Sequence, residues 1–109
     1  MPKNSLRRKK DFDQVFKSGQ SFYNHLFIIK YLENNLNINR LGIIIGLKVS
    51  KKAVIRNKIK RQIREIFRKY SKENHLNTED VVIIVSKNII DKSQQEIEKE
   101  FLKIMTRVK

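Results

Sequence analysis

Between Leu41 and Val85 the sequence sets two apolar runs, LGIIIGLKV and VVIIV, on either side of a long segment in which Ile55, Ile59, Ile63, Ile66, Phe67 and Tyr70 recur at helical spacing. Apolar residues at i, i+3, i+4 and i+7 share one face of an α-helix, whereas short β-branched runs read as buried strands. The pattern therefore predicts strand, amphipathic helix, strand. Such a crossover places two parallel strands in one sheet and lays the helix across it. The glycines at 42 and 46 suit a bend or a close approach within the first run. By general statistics the crossover is right-handed.

The flanks add three elements. Residues Lys10 to Lys17 place Phe12, Val15 and Phe16 at helical spacing and stop at Ser18-Gly19. Ser21 to Leu32, rich in aromatic and β-branched residues, reads as one strand followed by the polar turn NNLNIN. The C-terminal segment opens on Ser93-Gln-Gln-Glu96, a capping-box pattern, and carries Ile97, Phe101, Ile104, Met105 and Val108 on one stripe. The order is αββαβα: an α+β fold, a single α/β sandwich with one mixed central sheet and helices packed on it. With 109 residues, 39% of them apolar, the chain suffices for one modest core, and residues 1–109 are read as one domain.

Charge points to the partner. The formal net charge is +14, beyond what solubility needs, and self-repulsion on that scale calls for a polyanion. From Lys48 to Lys72 there are eleven basic residues and one acidic, a net of +10; the first ten residues add +5, and the remainder, nine basic and ten acidic, sums to −1. Two concentrated basic segments on a near-neutral chain mark a binding face, with nucleic acid as the leading partner. The N-terminus lacks the apolar run of a signal peptide, no apolar stretch is long enough to span a bilayer, and a chain without cysteine has neither disulfides nor thiolate metal sites. A cytoplasmic protein without a membrane partner is the default expectation. His25 and His75 have no companions at metal or triad spacing and read as ordinary polar residues.

On a wheel of about 100° per residue, Arg61, Arg64 and Arg68 fall within about 40° of Asn57, opposite the isoleucine-rich seam, and Lys60 lies about 60° away. The stripe runs about 17 Å and suits a nucleic-acid backbone, because the arginine fork gives bidentate phosphate contacts. Only Glu65 is present to balance it. Arg56 falls toward the apolar side and fits better if the chain there is still in the first turn, with Arg56 and Asn57 both reaching outward. Asn57 suits either a backbone or a base-edge hydrogen bond. A peripheral membrane helix would leave bulky apolar residues exposed, whereas the sheet consumes this seam.

In SKKAVIRNKIKRQIRE the sequence resembles the protein subunit of bacterial ribonuclease P, whose signature helix opens Arg-Asn-Arg followed by Ile-Lys-Arg and an Ile-Arg pair. RRKKDFDQVFKSG, the strand ending LKVSKK and the VVIIVSK strand extend the resemblance over nearly the whole chain. It implies a small basic protein that joins a catalytic RNA, one protein per RNA, in a holoenzyme that removes the 5′ leader of precursor tRNA. The chemistry would belong to the RNA and its Mg2+, with no catalytic or metal-binding residue on the protein. It also implies a left-handed crossover, against the general statistics, and leaves residues 1–9 open to being a flexible basic tail.

By position, the resemblance assigns Arg56, Asn57, Lys58, Lys60, Arg61, Arg64 and Arg68, with Lys51 and Lys52, to the RNA subunit. It assigns Phe12, Phe16, Lys30, Lys48, Ser50 and Lys87 to the leader cleft between the first helix and the sheet, where aromatic and cationic groups hold a strand of variable sequence. From burial alone Phe12 and Phe16 could equally be core residues. Lys30 and Tyr31 fall on opposite faces of a strand, and Lys30 stands where many members carry a leader-facing aromatic. Two further departures are Lys58 in place of the third motif arginine, which loses the fork, and the missing glycine-containing insert between Lys52 and Ala53. Two other classes stay open on the residues: a ribosomal or ribosome-associated protein, which would share size and charge, and a protein-only nuclease, which would need the clustered carboxylates this chain lacks.

Overall fold

The computed structural model describes residues 5–34, 36, 38–73 (Glu73 by its backbone alone) and 78–107. Its elements are α1 (Lys9–Ser18), β1 (Gln20–Tyr23), β2 (Phe27–Glu33), β3 (Arg40–Ile44), α2 (Ala53–Glu73), β4 (Glu79–Val85), a 3-10 turn (Lys87–Ile89) and α3 (Gln94–Met105). The strands form one mixed sheet in the order β1-β2-β4-β3, antiparallel except for the parallel pair β3 and β4 that α2 connects. The α+β class, the helix order and the parallel crossover pair are as the sequence predicts.

Two strand boundaries differ. The run Ser21 to Leu32 is not one strand but a hairpin, because Asn24 turns the chain: its Oδ1 accepts from Leu26 N at 2.8 Å and Phe27 N at 3.0 Å, and its own N–H donates to the Phe27 carbonyl. A short amide side chain that bonds backbone two residues on is a turn former even inside an apolar run. The run Leu41 to Val49 leaves the sheet after Ile44, and a turn closed from Val49 N to the Gly46 carbonyl follows.

Alternation along the strands sends side chains to two different faces. On one face Phe27, Ile29, Leu41, Val81, Ile83 and Val85 meet the α2 seam of Ile59, Ile63, Ile66, Phe67 and Tyr70 and the α3 stripe of Ile97, Phe101, Ile104 and Met105. Phe101 stands edge-on to both Phe67 and Tyr70, at 6.5 and 5.4 Å between centroids, each pair contributing about 0.5–1.5 kcal/mol beyond area burial. At the start of α3 the predicted capping box is complete: Glu96 N donates to Ser93 Oγ and Ser93 N donates to the Glu96 carboxylate. Val108 and His75 lie outside the described residues.

The opposite face is only partly covered, by α1. Val15, Leu6 and Val82 form its small buried cluster, joined by Phe12, Leu32 and Ile84. A Cβ at Gly42 would lie 2.5 Å from the Phe12 ring, so the glycine lets α1 settle on β3. Of the basic segment left open as a flexible tail over residues 1–9, the described part packs on the sheet: Ser5 bridges Leu41, Leu6 N donates to the Leu41 carbonyl, and α1 begins at Lys9. A polar clamp fixes the other end of the contact. Arg40 Nε and Nη2 donate to the two oxygens of Asp80 at 2.8 and 2.7 Å, Asn34 Nδ2 donates to the same carboxylate, and Asp11 of α1 lies 3.6 Å from Arg40 Nη1. The Asp80 hydrogen bonds push the Arg40 pKa further up, because a hydrogen bond to the charged form favours it.

Candidate nucleic-acid interface

The outward face of α2 follows from its seam. With Ile59, Ile63, Ile66, Phe67 and Tyr70 buried, Asn57, Lys58, Arg61, Arg64 and Arg68 are exposed and Lys60 is half-buried. Lys51, Lys52, Lys58, Lys60, Arg61 and Arg64 make no ion pair among the described residues. Arg68 is different: Glu65, one turn earlier, takes its Nη2 at 2.5 Å and its Nε at 3.2 Å, which holds the Glu65 carboxyl below its usual value. Lys69 leans the other way and meets Glu98 of α3 at 3.4 Å. The stripe is therefore brought together as predicted, with Arg61 and Arg64 unpaired at its centre and Arg68 already partnered at its end.

Arg56 does not reach outward. It sits in the first turn of α2, half-buried, and its Nη1 donates to the Ser50 carbonyl at 2.8 Å. The ideal wheel points it toward the seam, and the short β3–α2 connection supplies a carbonyl within its reach. Ser50 completes the device, since its Oγ accepts from Lys52 N at 3.2 Å while the Lys52 carbonyl accepts the N–H groups of Ile55 and Arg56. Arg56 and Ser50 thus shape the turn that starts the basic helix, and Lys51 and Lys52 stand exposed on it.

The second surface is the sheet face that α1 leaves open. Strand pairing lines its residues into rows: Tyr23, Ile28, Ile84 and Ile44 across β1-β2-β4-β3, then Ser21, Lys30, Val82 and Gly42, then Leu32, Asp80 and Arg40. Phe12 packs over Gly42 in the second row and is half-buried. Phe16, one turn on, is 40% exposed, with the Lys30 ammonium 5.9 Å from its ring centroid, a cation–π distance. The first row is the least covered: Tyr23 is 75% exposed, Ile28 and Ile44 are each more than a third exposed, and Ile84 packs partly on the α1 cluster. Because β3 and β4 are parallel neighbours, the loops that follow them lie at the same end of the sheet, beside this row. They carry Lys48 and Lys87, both exposed.

Of the residues predicted for the cleft, Phe12, Phe16 and Lys30 border one trough, with Phe12 its packed wall and Phe16 its exposed lip, Lys48 and Lys87 lie on the loops at its end, and Ser50 lies instead in the turn that starts α2. Sequence reasoning missed the trough floor, Tyr23, Ile28, Ile44 and Ile84. The signal was the register that aligns them, which depends on the Asn24 hairpin. Among the described residues no group of three or more His, Asp or Glu side chains is placed to hold a metal ion, and no helix is long and apolar enough to cross a membrane.

A sequence model of the family described as Ribonuclease P matches residues 1–109. The ribonuclease P protein component of Clostridium botulinum strain Langeland is 35% identical, over 98% of this chain and 96% of its own length. Among solved structures, the RNase P protein of Staphylococcus aureus superposes with a TM-score of 0.87 at 28% identity, covering 99% of this chain and 97% of that one. The RNase P protein from Thermotoga maritima gives 0.85 at 32% identity, over 95% and 99%. With the family pattern running the length of the chain and the same fold beneath it, this protein belongs to the ribonuclease P protein family.

Proposed function

We propose that this protein is the RNA-binding subunit of a cytoplasmic ribonuclease P ribonucleoprotein, one copy per catalytic RNA, and that it assists removal of the 5′ leader from precursor tRNA. One observation carries the reading: two surfaces of different chemistry lie on opposite faces of one sheet. On one side is the cationic helix with Arg61 and Arg64 unpaired; on the other is an aromatic, apolar and lysine-bordered trough. The first suits a folded RNA whose phosphates are fixed in space. The second suits a single strand with unstacked bases.

In this reading α2 docks on the RNA subunit through Asn57, Lys58, Lys60, Arg61, Arg64 and Arg68, with Lys51 and Lys52 beside them. Arg56 acts mainly through Ser50, by shaping the turn that presents them. Glu65 yields Arg68 when phosphate replaces it. The leader lies in the trough, where Phe16 offers a ring and Lys30, Lys48 and Lys87 offer phosphate partners, while Phe12 supports α1 from below. None of these contacts reads a base edge, which suits leaders of varied sequence.

Magnesium ions held by the RNA would activate water and stabilise the leaving oxygen. Among the described residues no group of three or more His, Asp or Glu side chains is placed to hold such ions, and in this reading the protein's part is to bind, neutralise phosphates and fix the leader beside the scissile bond. Neutralisation lowers the magnesium needed to bring two polyanions together. The test is reconstitution: the protein mixed with a bacterial ribonuclease P RNA and assayed for leader removal at low magnesium. Enhanced cleavage is expected. An RNA that cleaves equally well without the protein would overturn the proposal.

A further inference from the structure

On the trough face three aromatic side chains differ in how much ring they have left to offer. Phe12 is pressed over Gly42 and belongs to the α1 cluster. Phe16 is exposed, but one side of its ring faces the Lys30 ammonium. Tyr23 is 75% exposed, and among the described residues its ring meets no other aromatic and its hydroxyl has no hydrogen bond. Of the other aromatics of the hairpin, Phe22 and Tyr31 stack on each other on the opposite face and Phe27 is buried in the core there.

An open tyrosine on an outer strand is ordinary by itself. Its setting is not ordinary. Tyr23 pairs across the strand with Ile28 and heads the row that continues through the half-buried Ile84 to Ile44. That row spans three strand spacings, about 14 Å, and Lys48 and Lys87 flank its end of the sheet. Lys30 is the diagonal neighbour of Tyr23, close enough for a long side chain to share one ligand. A ring standing beside an apolar floor, with the Lys30 cation on the neighbouring strand, is what an unpaired base and its backbone need.

We propose that Tyr23 is a stacking platform of the single-strand trough, so that a leader base rests on its ring at the outer edge of β1 while Lys30 takes the adjoining phosphate. The assignment rests on the leader reading above and extends the trough one strand beyond Phe16. It gives this chain a ring on the outer strand, where Lys30 on its neighbour supplies charge instead. The contact is indifferent to base identity and sensitive to whether a base is present.

The test uses the protein assembled with ribonuclease P RNA, and precursor tRNAs in which a single abasic nucleotide is stepped along the leader, with a 2′-deoxy substitution slowing cleavage during binding. With the wild-type protein, one abasic position is expected to weaken binding by about fivefold or more, the low end for a base stacked on an aromatic ring. Tyr23→Ala is expected to weaken the intact leader by a similar factor and to erase the penalty at that position alone. Tyr23→Phe keeps it, and binding of mature tRNA is unchanged by either. Tyr23→Ala should leave the melting temperature of the free protein essentially unmoved, because its side chain packs on little. If Tyr23→Ala and the abasic substitutions combine additively at every position, or if mature tRNA loses affinity equally, the assignment of Tyr23 is wrong. If the wild-type complex does not prefer leader-bearing over mature tRNA, the leader reading itself fails, and this assignment with it.

Discussion

Replacing Arg61 and Arg64 together by alanine removes the two central cations of the α2 stripe, neither of which has an ion-pair partner among the described residues. Each phosphate contact contributes about 0.7 (single strand) to 0.9 (duplex) to the slope of log K against log salt concentration. The double variant should therefore flatten the slope for RNA-subunit binding by about 1.4–1.8. Between 50 and 200 mM salt that corresponds to about 7- to 12-fold less loss of affinity than the wild type shows. Arg68→Ala should change the slope by less, since Glu65 already neutralises that guanidinium. Glu65→Gln releases Arg68 and should steepen the slope toward one further contact. The assay is a filter-binding or fluorescence titration of the RNA subunit at four or five salt concentrations. A double variant whose slope matches the wild type within about 0.3 would show that the stripe does not rest on phosphates.

Three predictions concern the scaffold. Gly42→Ala forces the Phe12 ring to move and should cost about 1–3 kcal/mol by urea denaturation; Gly19→Ala should cost more, because the obstacles there are the Val15 and Tyr31 backbone carbonyls at 2.5 and 2.7 Å. Asp80→Asn leaves Arg40 with only the more distant Asp11 as an anionic partner and should cost about 1.5–3 kcal/mol, a drop of about 6 °C or more in melting temperature for a chain of this size. The Ser93 backbone N–H holds the Glu96 carboxyl below its ordinary value of 4.5. A carboxylate whose pKa is lower folded than unfolded contributes stability above the unfolded value and loses it as pH falls through the folded one. Glu96→Gln should accordingly flatten the loss of stability below about pH 4.5 in thermal melts taken across acid pH.

What the sequence made legible follows from how locally each feature is determined. The α2 seam, the Ser93 box and the β4 run are set by spacing within one element, and each stands where the pattern puts it. The Ser21 to Leu32 run misled because its apolar residues continue through the turn; Asn24 carried the only cue, and its weight came from two hydrogen bonds that composition does not reveal. The direction of Arg56 stayed open between the seam and the solvent because its partner, the Ser50 carbonyl, lies in the preceding loop, whose path the helix spacing does not reveal. The Glu65–Arg68 pair was readable at i,i+3 spacing. The trough floor was not, because Tyr23, Ile28, Ile84 and Ile44 come from four strands and meet only once pairing and register are fixed.

The most direct measurement is the ratio of affinities for leader-bearing precursor and mature tRNA, taken with the ribonuclease P RNA alone and again with the protein bound. Addition of the protein should raise that ratio, by strengthening precursor binding with little change for mature tRNA, and Phe16→Ala should lower it again without preventing assembly. A ratio that the protein leaves unchanged, with the complex demonstrably formed, would contradict the role of the trough and with it the proposed function.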